Sequence, residues 1–111
     1  MTTPTEATAL TFHGPHSVLV GLYGGGSLQY DLRNLSNPPL QQPAKRHAAA
    51  VRALLVLGDC VVSGSDDGTV RFSDSDRVIQ HADFVRALAV AGGGKQLVTA
   101  SWDKTVKFHA L

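Results

Sequence analysis

The residues best equipped for chemistry form a trio that occurs twice. His47, Ser63 and Asp67 are a base, a hydroxyl and a carboxylate, the types that build a hydrolytic triad. Such a triad also needs an open site and an oxyanion hole. His81, Thr99 and Asp103 repeat the trio at matching positions of a later segment. A catalytic set is needed once; a trio that returns with its surroundings reads as a structural network, tolerated in a core only when its members are satisfied. His13-Gly14-Pro15-His16 offers two imidazoles in a turn, without the third or fourth ligand that zinc takes. Gly24 to Gly26 and Gly92 to Gly94 lead into no helix and carry no Lys-Ser/Thr, so they read as turns rather than phosphate loops. No catalytic, metal or cofactor residue is predicted.

The segments that position these residues are repeats. His47 is followed by Val51-Arg52-Ala53-Leu54 and then Asp67-Gly68-Thr69-Val70-Arg71-Phe72. His81 is followed by Val85-Arg86-Ala87-Leu88 and then Asp103-Lys104-Thr105-Val106-Lys107-Phe108. A weaker copy precedes both. Ala7 to Phe12 matches Val51 to Val56, and Gly25 to Tyr30 is matched to Asp67 to Phe72. The second and third copies are 34 to 36 residues apart, a period that marks an array of small supersecondary units.

Each unit reads as strands. Val51 to Leu57 and Phe84 to Ala91 are short apolar runs closed by Gly58-Asp59 and by Gly92 to Gly94, leaving room for strands and not helices. Asp66-Asp67-Gly68 and Trp102-Asp103-Lys104 sit between β-rich runs as hairpin turns do. The stretch from Arg33 to Arg46 holds Pro38, Pro39 and Pro43. Proline donates nothing to a ladder, so this stretch is predicted as an edge strand or a rim loop. The expectation is an all-β chain: repeat 1 at about 5–33, a Pro-rich connection at 34–46, repeat 2 at about 47–80 and repeat 3 at about 81–111.

Composition removes several function classes. The 111 residues carry ten basic and nine acidic side chains, a formal charge of +1. That balance, with no basic stripe, argues against nucleic acid or an anionic membrane as a partner. Hydrophobic residues make up 43% and charged residues 17%, outside the disordered range. No stretch approaches the roughly 20 apolar residues of a membrane helix, and Met1 to Leu10 lacks the features of a secretory leader. Cys60 is the only cysteine and begins the apolar run Cys60-Val61-Val62, as a small buried hydrophobe would. No intrachain disulfide is available, so an intracellular, reducing setting is expected.

His47 with Leu57 to Phe72, and His81 to Phe108, resemble WD repeats. That family builds four-stranded antiparallel blades around a central channel. The resemblance implies a β-propeller fold of about three such units, an incomplete ring. It also implies a hydrogen-bonded set of His47, Ser63 and Asp67 in repeat 2, and of His81, Thr99 and Asp103 in repeat 3. The family's fourth member is a tryptophan. Here the matching positions hold Ser73 and His109, with Asp31 or Tyr30 in repeat 1, while Tyr30, Phe72 and Phe108 stand one residue earlier. The implied network is therefore incomplete.

In WD repeats the residue before the turn aspartate, and residues early in the first strand, face the rim where partner proteins land. The resemblance places Asp66 and Trp102, then Arg52 and Phe84 with Arg86, on that rim. Aromatic and arginine side chains are over-represented among interface hot spots. A propeller enzyme or small-ligand binder would instead line its channel mouth with acidic or histidine clusters, where this chain has Arg52 and Arg86. The implied function is a non-catalytic interaction scaffold or complex subunit, with other proteins as partners. Three units are fewer than the four or more blades of a closed propeller. The ring is thus expected to be completed by another chain or by further sequence.

Overall fold

The structure, a computed structural model, describes residues 2–111. Three antiparallel sheets follow one another along the chain. The first contains β1 (Ala7–Phe12), β2 (Ser17–Leu22), β3 (Ser27–Asp31) and β4 (Leu40–Gln41), in that order. The second contains β5 (Val51–Leu57), β6 (Cys60–Ser65), β7 (Thr69–Phe72) and β8 (Val78–Gln80). The third has three strands, β9 (Val85–Ala91), β10 (Gln96–Ser101) and β11 (Val106–Ala110), rather than four. Among the described residues there is no helix, and hence none long and apolar enough to cross a membrane.

Each sheet is a meander because its turns are short and its strands are rich in β-branched residues. The turn between the second and third strands needs one residue with positive φ: Gly25 at 92°, Gly68 at 83° and Lys104 at 71°. Glycine meets this without a steric penalty, and only the third sheet places a side chain there. Pro38 and Pro39 precede the two-residue β4, an outer edge where a missing N–H costs no ladder bond.

The core lies between sheets rather than within one. Leu19 and Ala44 of the first unit meet Val61 of the second, flanked by Leu54 and Val56. Val62, Val70 and Phe72 on the opposite face of the second sheet meet Val85 and Leu97 of the third, with Leu88 against them. A third apolar cluster, Val18, Val20, Leu22, Leu28 and Tyr30, lies on the side of the first sheet away from the second. Cys60 is buried as a free thiol.

Strand pairing fixes how the units correspond. Ala9 pairs with Gly21, Ala53 with Gly64 and Ala87 with Ala100; Gly21 then pairs with Ser27, Gly64 with Val70 and Ala100 with Val106. The turn in the first unit is therefore displaced by one residue from the sequence match. Gly24, not Gly25, stands where Asp67 stands, and Tyr30 stands with Ser73 and His109 rather than with Phe72. Three consecutive glycines give no side chain by which to set the register, and the aromatic Tyr30 drew the match onto Phe72.

Candidate functional site

The two polar trios are hydrogen-bonded sets inside the sheets. In the second unit His47 Nδ1 lies 3.0 Å from Asp67 Oδ2 and His47 Nε2 lies 2.8 Å from Ser63 Oγ. Burial dominates the histidine and pushes its ring below the usual imidazole value, although Asp67 opposes the shift. The neutral ring carries its proton on Nδ1, because a carboxylate can only accept, so Ser63 donates to Nε2. Burial would raise the Asp67 carboxyl. The hydroxyl and N–H of Thr69, the N–H of Ala48 and His47 outweigh that effect and hold it below the usual carboxylate range.

The third unit repeats the arrangement. His81 Nδ1 is 2.9 Å from Asp103 Oδ2, and its Nε2 is 2.7 Å from Thr99 Oγ1. The Thr105 hydroxyl is the main reason that Asp103 is held far below the usual range, aided by His81 and the N–H groups of Ala82 and Thr105 against desolvation. His109, at the position where the family places tryptophan, reaches Thr99 with its Nε2 at 3.3 Å and extends this set to a fourth member. Ser73 does not join the equivalent set. Its Oγ accepts the Val61 N–H at 2.8 Å instead. In the first unit, Val20 and Gly24 occupy the places of Ser63 and Asp67, so no comparable set forms there. Ser63 and Thr99 are fully buried. Their hydroxyls are closed to any substrate.

The exposed constellation is at the end of the sheets where the first strands begin. Each first strand carries a bulge against the second, between Ala7 and Ala9, between Val51 and Ala53, and opposite Ala100 and Ser101. The bulged residues are Thr8, Arg52 and Arg86. A bulge re-aims a side chain, here toward the rim. The turns are tied to the same end, because Tyr23, Asp66 and Trp102 donate their N–H groups to the carbonyls of Glu6, Ala50 and Phe84 at 2.8–2.9 Å.

These supports bring all five rim residues together. Arg52 Nε donates to Asp66 Oδ2 at 3.1 Å, and Arg86 Nη2 stands 3.5 Å from Asp66 Oδ1. The guanidinium carbon of Arg86 lies 4.0 Å from the Trp102 ring centroid and 5.0 Å from that of Phe84. The two rings are 5.1 Å apart and tilted by 40°. Trp102 is nevertheless 58% exposed. Asp66 Oδ1 and Arg86 Nε are both buried without a hydrogen-bond partner.

A groove of about 390 Å³ runs beside this cluster, lined by Tyr23, Gly24, Ala48, Ala49, Ala50, Asp66 and Phe84. Tyr23 was missed by the sequence reading. It is the first unit's equivalent of Asp66 and Trp102, and the one-residue register error hid it. No group of three or more metal-ligating side chains occurs among the described residues.

The sequence profile of the WD domain, G-beta repeat, matches residues 40–74 and 75–109. The chain belongs to the WD40-repeat family. The WD40 matches begin at or just before the outer strand of one sheet and continue into the next, so the sequence repeat is offset from the structural blade. The solved structure of the computationally designed Ika8 protein is similar, with a TM-score of 0.74 and 25% identity. The likeness covers 94% of this WD40 chain and 33% of that one, so the chain spans about a third of its length. No curated protein matches the sequence. WD40 repeats act in general as interaction scaffolds and are typically non-catalytic.

Proposed function

We propose that the chain is a non-catalytic protein-interaction module that holds a partner peptide on the rim formed by Phe84, Arg86 and Trp102, with Arg52, Asp66 and Tyr23. The observation that carries this reading is an exposed tryptophan stacked on Arg86, which is ion-paired to the adjacent Asp66, beside a groove at Phe84. A large aromatic ring left in solvent beside an arginine is the kind of side-chain pairing that anchors protein interfaces. The groove beside Phe84 suits an aromatic or aliphatic side chain. The arginines suit a neighbouring carboxylate, which guanidinium recognises with two parallel bonds. The module works inside the cell, where the lone Cys60 stays reduced.

Selection of a displayed random-peptide library on the full chain tests this reading. Peptides pairing an apolar side chain with Asp or Glu are expected, with binding lost on Trp102→Ala. Enriched peptides whose binding survives both Trp102→Ala and Arg86→Ala would place recognition elsewhere.

A further inference from the structure

We infer that the cavity between the β4–β5 connection and the outer turn of the second sheet is a site for the phosphate of a phosphoserine or phosphothreonine side chain carried by a partner protein. This inference does not depend on the rim. It starts from three cations that separate segments bring to one place.

The cavity has a volume of about 340 Å³ and is lined by Lys45, Arg71, Ser75, Asp76, Arg77 and Val78. Lys45 follows Ala44, which packs on Val61 and so pins the connection between β4 and β5 against the second sheet. Arg71 lies on β7 opposite Ser63, and residues paired in this way share a face of the sheet. That face is the one that Val61 turns toward the first unit. Arg77 closes the turn between β7 and β8. The connection, the third strand of the sheet and its outer turn thus each contribute one cation.

These cations are placed without being used up. Arg77 packs its guanidinium carbon 5.1 Å from the Phe72 ring centroid and donates from Nη1 to the Ala110 carbonyl at 3.0 Å, which fixes the group and leaves its other N–H bonds to give. The Nε of Arg71 is buried without a hydrogen-bond partner. Its counterpart in the third unit behaves differently: Lys107, at the same strand position, gives its ammonium to the Gln80 carbonyl at 2.8 Å. The arginine–carboxylate pairs of the described residues, at Asp31 and Asp66, lie elsewhere. Asp76 is the one carboxylate in the lining, so three cations against one anion leave a surplus of two positive charges.

A phosphate monoester carries about −1.5 to −2 near neutral pH and offers three acceptor oxygens, which matches that surplus. Guanidinium groups bind such oxygens with two parallel bonds. The Ser75 hydroxyl accepts the Arg77 N–H at 3.4 Å and keeps its own proton to donate. A single carboxylate would leave one of the two charges uncompensated. A nucleic acid would need cations continuing along a stripe, and a chain of formal charge +1 has no such stripe.

Amide NMR titration of the full chain tests the inference, using the tightest peptide from a library that holds one phosphoserine between randomised flanks. Saturable shifts are expected at Arg71 and at Ser75 to Val78. Glutamate in place of the phosphoserine should raise the dissociation constant about tenfold or more, as should Arg71→Gln. Lys45→Ala, a change at an exposed side chain, should weaken binding in the same direction, and Asp76→Asn should tighten it by removing the opposing charge. Circular dichroism of each variant reports whether the sheets remain folded. Absence of these shifts would overturn the inference, as would a glutamate peptide that binds equally well or binding indifferent to both Lys45→Ala and Arg71→Gln. Inorganic phosphate binding as tightly as the peptide would overturn a partner protein as the source. Binding lost in Trp102→Ala would overturn the site by moving the phosphate to the rim; binding retained there is expected.

Discussion

The guanidinium of Arg86 lies 4.0 Å from the ring centroid of Trp102, a stack formed by a bulged strand residue over a turn residue of the same sheet. Arginine suits this position because its flat cation packs on an aromatic face while still offering N–H groups at its edge. The stack holds Trp102 in place while leaving it 58% exposed, and it brings Arg86 to within 3.5 Å of Asp66 on the neighbouring unit. Trp102 is the only tryptophan, so its emission reports on this arrangement alone.

Arg86→Ala should therefore shift the tryptophan emission maximum to longer wavelength as the ring loses its cover. The melting temperature should move little, because the side chain is near the surface and an exposed cation–π contact contributes only about 0.5–1 kcal/mol. An unchanged emission spectrum would show that the stack does not persist in solution.

Asp67→Ala should destabilise the fold by about 1–3 kcal/mol, since it leaves the N–H groups of Ala48 and Thr69 without their acceptor and His47 Nδ1 with only the Thr69 hydroxyl. Asp103→Ala removes the matching acceptor in the third unit and should also lower the denaturant midpoint. The cost should be smaller for Thr105→Val than for Asp103→Ala, because Thr105 makes fewer of the bonds in the set. Equilibrium denaturation of the three variants checks the order.

Stability should fall as the solution is acidified from neutrality. His47 has a folded value below 6.5, so the unfolded chain binds its proton first and stability is lost as pH drops through 6.5 toward that lower value. Asp67 is lowered too, so its contribution is present above the ordinary carboxylate range and is lost at still lower pH. Both act in the same direction. Denaturant midpoints at pH 7.5, 6 and 4.5 should decrease in that order, and His47→Gln should flatten the step between the first two.

Ser63→Ala should lower stability without changing the turnover of any ester or phosphoester, because the hydroxyl is fully buried beneath its own sheet. Hydrolysis by the native chain that disappears in this variant would mean that the buried trio opens to substrate.

The second and third units were legible in the sequence because each pairs a histidine with a turn aspartate and repeats the Val-Arg-Ala-Leu run, so type and spacing agree along the unit. The rim residues followed from those positions. The first unit was less legible. Gly24 to Gly26 carry no side chains to anchor the turn, and the loss of the polar set removed the residues by which the other two align. Tyr23 went unnoticed for that reason. His109 was read as a departure from the tryptophan pattern, yet imidazole Nε2 reaches the Thr99 hydroxyl from the same strand position. The bulges at Thr8, Arg52 and Arg86 leave no sequence mark, since a bulge is a count of residues on two paired strands and becomes visible only when the pairing is known.

The central claim is that the Trp102 rim binds partner protein and is not merely a packing element. Its most direct test is to measure, on the single variant Trp102→Ala, both the affinity for a peptide selected on the native chain and the melting temperature. Truncating a central aromatic anchor should cost ~2 kcal/mol or more, roughly a thirtyfold rise in dissociation constant, with the melting temperature within a few degrees of native. A variant that melts far below the native chain, while its folded fraction binds the peptide with undiminished affinity, would contradict the account.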